Sequence, residues 1–168
     1  MSNHSFDKHH DAASYDAHAN GYDTYVRRLA TPLAARLCEL GRLRPGDAVL
    51  DVGTGTGLAA RRASQVVAPR GRVLGVDLSA GMIDVAKKSI TGWSGTPPEF
   101  RVMDAECLEL PDASFDAVIS LCAVSHFPNI SSAIGEMYRV LVPSVRWVTN
   151  EDFMQGSYRL ATRSETQC

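Results

Sequence analysis

An apolar run that ends in an acid and passes into glycine at every second position constrains this chain most: Val49-Leu50-Asp51-Val52-Gly53-Thr54-Gly55-Thr56-Gly57-Leu58-Ala59. Glycine tolerates positive φ and carries no side chain, so the backbone can turn sharply and approach a ligand closely before the next helix begins. The exposed N–H groups at that helix start favour polar or anionic ligand groups. Twenty residues after Gly57, a second apolar run, Arg72-Val73-Leu74-Gly75-Val76, ends in Asp77. An acid there is placed to accept hydrogen bonds from the two hydroxyls of a ribose. The pattern predicts a strand, turn and helix that bind a nucleoside-containing cofactor.

The glycine loop alone leaves the nucleoside open, because Gly55-x-Gly57-x-x-Ala60 also satisfies the dinucleotide fingerprint in its looser form. The blocks that follow narrow it. Asp77-Leu78-Ser79 leads into a helix, and Met103-Asp104-Ala105-Glu106 precedes Leu110-Pro111-Asp112-Ala113-Ser114-Phe115-Asp116-Ala117-Val118-Ile119-Ser120. With Asp51 directly before the glycines, these blocks resemble, in order and spacing, the class I S-adenosylmethionine-dependent methyltransferases. The likeness is to the small-molecule group typified by the ubiquinone and menaquinone biosynthesis enzymes, the methyltransferase type 11 domain. It runs from about Leu43 to Leu141, more weakly from Phe6, and fades after Pro143.

The resemblance implies S-adenosylmethionine as cofactor and a set of site residues. Asp51 would belong to the cofactor-binding set, Gly53, Gly55 and Gly57 would border its methionine part, Asp77 would hold the ribose, and Leu78 and Met82 would flank adenine. Asp104 would accept from the adenine amino group, the Ala105 N–H would meet a ring nitrogen, and Leu121 would offer its carbonyl near the ammonium. Plainer readings stand beside these. Asp77 and Asp104 can each serve loop or turn chemistry, Glu106 competes with Asp104, and the spacing of Met82 also fits a core residue. Asp112 and Asp116 read as turn and strand-face residues and receive no chemistry.

Composition agrees with one domain. The chain has 168 residues, a net charge of -2 with both signs dispersed, and four cysteines, Cys38, Cys107, Cys122 and Cys168. Without a basic stripe, nucleic acid has little electrostatic support as a partner. The cysteines include no close pair of the zinc or redox kind, so no metal is expected, and Cys38 and Cys122 read as small apolar residues. No apolar stretch approaches the roughly 20 residues of a membrane helix, and Met1-Ser2-Asn3-His4 is not a secretory signal. The expectation is a cytoplasmic protein.

Helical and strand periods alternate along the chain, which predicts an α/β fold with a Rossmann-like, doubly wound parallel sheet. Residues 1–42 read as an N-terminal helical cap. A helix is expected from about Asp11 to Arg28, then a second from Leu33 to Leu40, started by the cap-and-proline pair Thr31-Pro32. Residues 43–153 read as the cofactor-binding part, with strands at 48–52, 72–76, 99–103, 115–120 and 145–149 in the order 3-2-1-4-5. Residues 154–168 read as a polar tail, all within one structural domain. Family members usually carry Pro-Gly-Gly before strand five, whereas this chain has Pro143-Ser144-Val145, poor substitutes in a turn of positive φ. The two further strands of the family are expected to be missing, as in a truncated chain. That leaves strand five, with Val145 and Trp147, as an exposed edge inviting a homodimer.

Methyl transfer from a sulfonium asks mainly for alignment in a water-excluding site, so the missing triad is no argument against it. Where an acceptor needs a base, His126 in Ala123-Val124-Ser125-His126-Phe127-Pro128-Asn129 is the candidate, because it follows strand four at the cofactor edge. The competing reading is a histidine that closes the loop over Phe127. His9, His10 and His18 read as solvated side chains, and Tyr15, Tyr22 and Tyr25 are the aromatics available to close over the cofactor. Three functions follow: a methyltransferase with a small-molecule acceptor, a non-catalytic cofactor-binding or assembly module, and a nicotinamide oxidoreductase resting on the glycine fingerprint alone.

Overall fold

The computed structural model describes residues 8–150 and 158–162. The strand β1 (Ala48–Val52) lies at the centre, with β2 (Arg72–Asp77) and β3 (Glu99–Val102) on one side. On the other lie β4 (Phe115–Leu121), β5 (Leu141–Asn150) and β6 (Tyr158–Thr162). The order is β3-β2-β1-β4-β5-β6. The first five strands are parallel, registered as Val49↔Val73, Val49↔Ala117 and Val118↔Trp147. The strand sequence therefore moves outward from β1 in both directions, and the reversal between β1 and β4 opens a crevice beyond their carboxyl ends.

Alternation along each strand divides the core into two layers. Val49, Ile119 and Val148 point toward the helices α1 (Lys8–Leu40), α2 (Leu58–Val67) and α3 (Ala80–Ser89), meeting Ala34, Leu37, Ala59, Ala63 and Ile83. Leu50, Val52, Leu74 and Val118 point the other way, toward Ala133, Met137 and Val140 of α4 (Ile130–Val140). Helices on both faces are what buried parallel strands require.

Three expectations need correction. The two N-terminal helices are one, α1, with Pro32 inside it. Ala30, Ala34, Leu37 and Cys38 are each 3% exposed or less and lie on one stripe at helical spacing. Packing of that stripe outweighs the single backbone hydrogen bond that proline forgoes. The tail is not wholly without structure, since Tyr158–Thr162 forms β6, antiparallel to β5 with Thr149 opposite Arg159. The outer edge of β5 is thus occupied, which removes the basis for a homodimer through it. Finally, Pro143-Ser144-Val145 makes no turn of positive φ. It lies within β5, where the register shifts from Phe115↔Leu141 to Ala117↔Arg146 and a bulge takes up the extra residues. The side chains of Val145 and Trp147 lie outside the described residues. Among the described residues no helix is long and apolar enough to cross a membrane.

Candidate functional site

The glycine loop joins β1 to α2, and its backbone explains its composition. Gly53, Gly55 and Gly57 have φ of 69°, 53° and 83°, all in the region where a side chain is strained. Their surroundings differ. A Cβ on Gly53 would stand 2.2 Å from that of Ala123, and one on Gly57 2.6 Å from Phe100 Cζ, whereas one on Gly55 would meet nothing within 4 Å. Gly53 and Gly57 allow close packing; Gly55 leaves space open at the loop's outer face. The loop is held by the Gly53 and Thr54 amides, which both donate to the Val76 carbonyl at 2.9 Å. From α2, Arg61 donates to the Thr56 carbonyl at 2.7 Å and to the Ser89 hydroxyl.

Two acids flank this loop in different states. Asp51 is fully buried; its Oδ2 accepts from the Thr54 hydroxyl at 2.6 Å, and Oδ1 has no hydrogen-bond partner among the described residues. Burial pushes its carboxyl up to about 7, against the pull of the Thr54 hydroxyl and the Ala60 amide and with the charge of Asp77 adding to the rise. Asp77 stands at the open end of β2, accepting from the Gly55 amide at 2.8 Å and the Ser79 amide at 2.9 Å. Burial raises it also, opposed by the amides of Ser79, Gly55 and Leu78 and reinforced by the charge of Asp16. Each carboxylate oxygen of Asp77 retains acceptor capacity beyond one amide.

Beyond the strand ends lies a cavity of about 160 Å³. Gly53, Gly55, Asp77, Leu78, Met82, Asp104, Ala105, Leu121 and His126, all expected at the site, line it. Gly57 and Asp51 do not. Gly57 faces Phe100 and caps α2 in a left-handed conformation, and Asp51 lies under the loop, tied to Thr54. Both shape the loop from behind. Met82 reaches the cavity wall although it is only 3% exposed, so one residue is both core and lining.

The far wall is the loop after β3. Asp104 Oδ1 accepts from the Glu106 amide at 2.9 Å, and Glu106 in turn accepts from the Asn129 amide at 2.9 Å. Glu106 is therefore a partner of Asp104 in shaping the loop. Arg139 on α4 pins the rest: it donates to both Glu136 oxygens at 2.7 Å, to the Leu108 and Leu110 carbonyls, and to Asp112 at 2.6 Å. Those carboxylates raise Arg139, and the guanidinium holds Glu136 below its ordinary value. Asp112 thus belongs to a structural network, and Asp116 accepts from the Ala48 amide at 2.8 Å.

The mouth is lined by α1 and by the 3₁₀ turn Val124–His126. Tyr15 meets the His126 ring edge-on, centroids 5.8 Å apart, and both line the cavity with Ala12. Tyr15 is thus at the cavity; the side chains of Tyr22 and Tyr25, and of His9, His10 and His18, lie outside the described residues. Cys38 is buried as expected, its thiol pushed up to about 12 chiefly by burial. Cys122, following β4, stands at the cavity wall with φ 55°. Thr54, Thr56, Phe127 and Pro128 also line the cavity; they sit beside motif residues that were singled out. Asp16 was missed: it accepts from the Ser79 hydroxyl at 2.5 Å and the Gly81 amide at 2.7 Å, a contact no local pattern announces. Among the described residues no cluster of three histidine, cysteine or acidic side chains could hold a metal ion.

Residues 49–144 match the model of the methyltransferase domain family. Over 158 residues the chain is 34% identical to the ubiquinone/menaquinone biosynthesis C-methyltransferase UbiE of Pseudomonas savastanoi pv. phaseolicola, covering 93% of this chain and 60% of that protein. Over 112 residues it is 36% identical to the demethylmenaquinone methyltransferase of Symbiobacterium thermophilum, covering 64% of this chain and 43% of the relative. Among solved structures, the cyclase SpnF is similar with a TM-score of 0.66 at 27% identity, covering 71% of this chain and 44% of that one. The chain spans about half the length of these proteins. Since one of them is named for a cyclisation, the shared fold does not alone name a reaction.

Proposed function

The chain belongs to the S-adenosylmethionine-dependent methyltransferase family, and from that membership we propose that it binds S-adenosylmethionine beyond the strand ends and transfers the methyl group to a small molecule. The observation that carries this is the convergence of Asp77, Asp104 and Gly55 on one cavity within the matched span.

The residues fit such a cofactor. Asp77 has acceptor capacity for the ribose hydroxyls, and Leu78 and Met82 offer an apolar slot for a flat base. Asp104 supplies an acceptor at the base's edge, with the Ala105 amide beside it. The open face of Gly55, with Gly53 behind, gives the methionine part room against the backbone, and the Leu121 carbonyl offers an acceptor for an ammonium. When bound, S-adenosylmethionine supplies a methyl group activated by its sulfonium. This chain's task is then to align an acceptor and keep water out. His126, at the cavity wall, is the side chain positioned to take a proton from an acceptor that must lose one. Tyr15, against it, helps to cover the site.

A small, largely apolar acceptor is favoured by the cavity lining, by the dispersed charge of the chain, and by relatives named for quinone substrates. Incubation with methyl-labelled S-adenosylmethionine and a panel of phenols, quinols and thiols tests the reading. Label transfer that falls at least tenfold in His126→Ala, with unchanged cofactor affinity, is the expected result. Cofactor binding without transfer to any acceptor would favour the non-catalytic module, and selective binding of NAD would overturn the reading.

A further inference from the structure

Ala12 and Tyr15 in the amino-terminal half of α1 line the cavity, and their neighbour Asp16 is bonded to residues of a helix start more than sixty positions away. The Asp16 carboxylate sits at the start of α3, where the first amides of a helix have no partner within it. Ser79 satisfies the Met82 amide in the usual local way, at 3.1 Å. The Gly81 amide instead donates to Asp16 Oδ1 at 2.7 Å, and the Ser79 hydroxyl donates to the same oxygen at 2.5 Å. A second feature fits this contact. A Cβ on Gly81 would come within 2.8 Å of the Asp16 Cα and 3.1 Å of its carbonyl oxygen, so glycine is what lets α1 lie this close.

The rest of α1 divides in two. Beyond Pro32 the helix is anchored, with Ala34 and Leu37 fully buried against the sheet; before it, Ala19 and Ala30 are also buried. Pro32 lacks the N–H that would bond the carbonyl four residues earlier, which removes one backbone bond between the two parts. Asp16 is next to Tyr15, which lines the cavity against His126. We infer that Asp16 is a positioning residue: its bonds to Ser79 and Gly81 latch the arm of α1 that precedes Pro32, and so hold Tyr15 over the cavity.

This deepens the proposed function, resting on it for the ligand that the arm would cover, but the latch itself is testable on the protein alone. Hydrogen exchange of peptides from residues 12–21 is compared in wild type, Asp16→Ala, Asp16→Asn and Gly81→Ala. Asparagine keeps an acceptor oxygen, whereas Gly81→Ala leaves both Asp16 and Ser79 in place, favours α3 as a helix, and presses α1 away. Exchange in the arm is expected to rise at least tenfold in Asp16→Ala and Gly81→Ala, to stay near wild type in Asp16→Asn, and to leave peptides of β1, β4 and α4 unchanged. Equal arm exchange in all four proteins overturns the latch, as does an Asp16→Asn arm as loose as that of Asp16→Ala. Adding S-adenosylhomocysteine to wild type and to Asp16→Ala separates the two claims: a latched wild-type arm with no ligand protection counts against the cofactor reading, whereas full protection of the arm in Asp16→Ala counts against the role of Asp16.

Discussion

Single residues divide the glycine loop into functions that its repeat conceals. Gly55 and Gly57 share positive φ, yet only Gly57 has a neighbour in the way of a side chain. Gly57→Ala should therefore destabilise the fold by about 2–4 kcal/mol, from strain plus overpacking on Phe100. Gly55→Ala should cost only about 1–2 kcal/mol, while its methyl enters the open face and weakens S-adenosylhomocysteine by roughly tenfold or more, about 1.4 kcal/mol. Denaturant unfolding and binding titration of the two variants check this, and equal effects on both quantities would contradict it. Asp51 sets a pH dependence. Its native value of about 7 lies above the unfolded one of about 4, so the folded protein holds a proton the unfolded chain has released. Its contribution is fully present below about 4 and is lost as pH rises through about 7, with a slope of at most about 1.4 kcal/mol per pH unit. Unfolding at pH 5 and pH 8 should show wild type losing stability relative to Asp51→Asn across that interval.

Elements were legible where the pattern was local. The apolar runs of β1, β2 and β4 and the helix that follows Asp77-Leu78-Ser79 come from hydrophobic runs and turn residues, and the structure repeats them nearly residue for residue. What the sequence withheld depends on distant partners. The Thr31-Pro32 pair has the chemistry of a helix start, but the stripe from Ala30 to Cys38 packs as one surface and carries the helix through it. Asp16 looks like any surface acid until α3 is brought beside it. Arg139, likewise an ordinary helix residue in sequence, holds the loop that carries Asp104 through its bonds to Leu108, Leu110 and Asp112. Arg139→Ala should destabilise by about 1–3 kcal/mol, with faster hydrogen exchange at 104–112. Arg139→Lys should recover little, because a single ammonium cannot reproduce the fork. Unchanged exchange in that loop would contradict the assigned role.

At the scale of the whole molecule, the sheet is bounded by β3 on one side and β6 on the other. Strand β6 was not legible because Tyr158-Arg159-Leu160-Ala161-Thr162 is short and only weakly alternating; its partner edge on β5 decides its conformation. Removing residues 151–168 should bare the β5 backbone and produce association or aggregation in sedimentation, since an unpaired strand edge is a template for another chain. A monomeric variant would contradict that role. The central claim concerns the cavity where the sheet order reverses, and Asp77 is the acid on which the nucleoside reading most depends. Calorimetric titration with S-adenosylhomocysteine, on wild type and a folded Asp77→Ala variant, tests it most directly. The account predicts saturable binding to wild type that weakens at least tenfold in the variant; no binding to folded wild type, or equal affinity for both proteins, would contradict it.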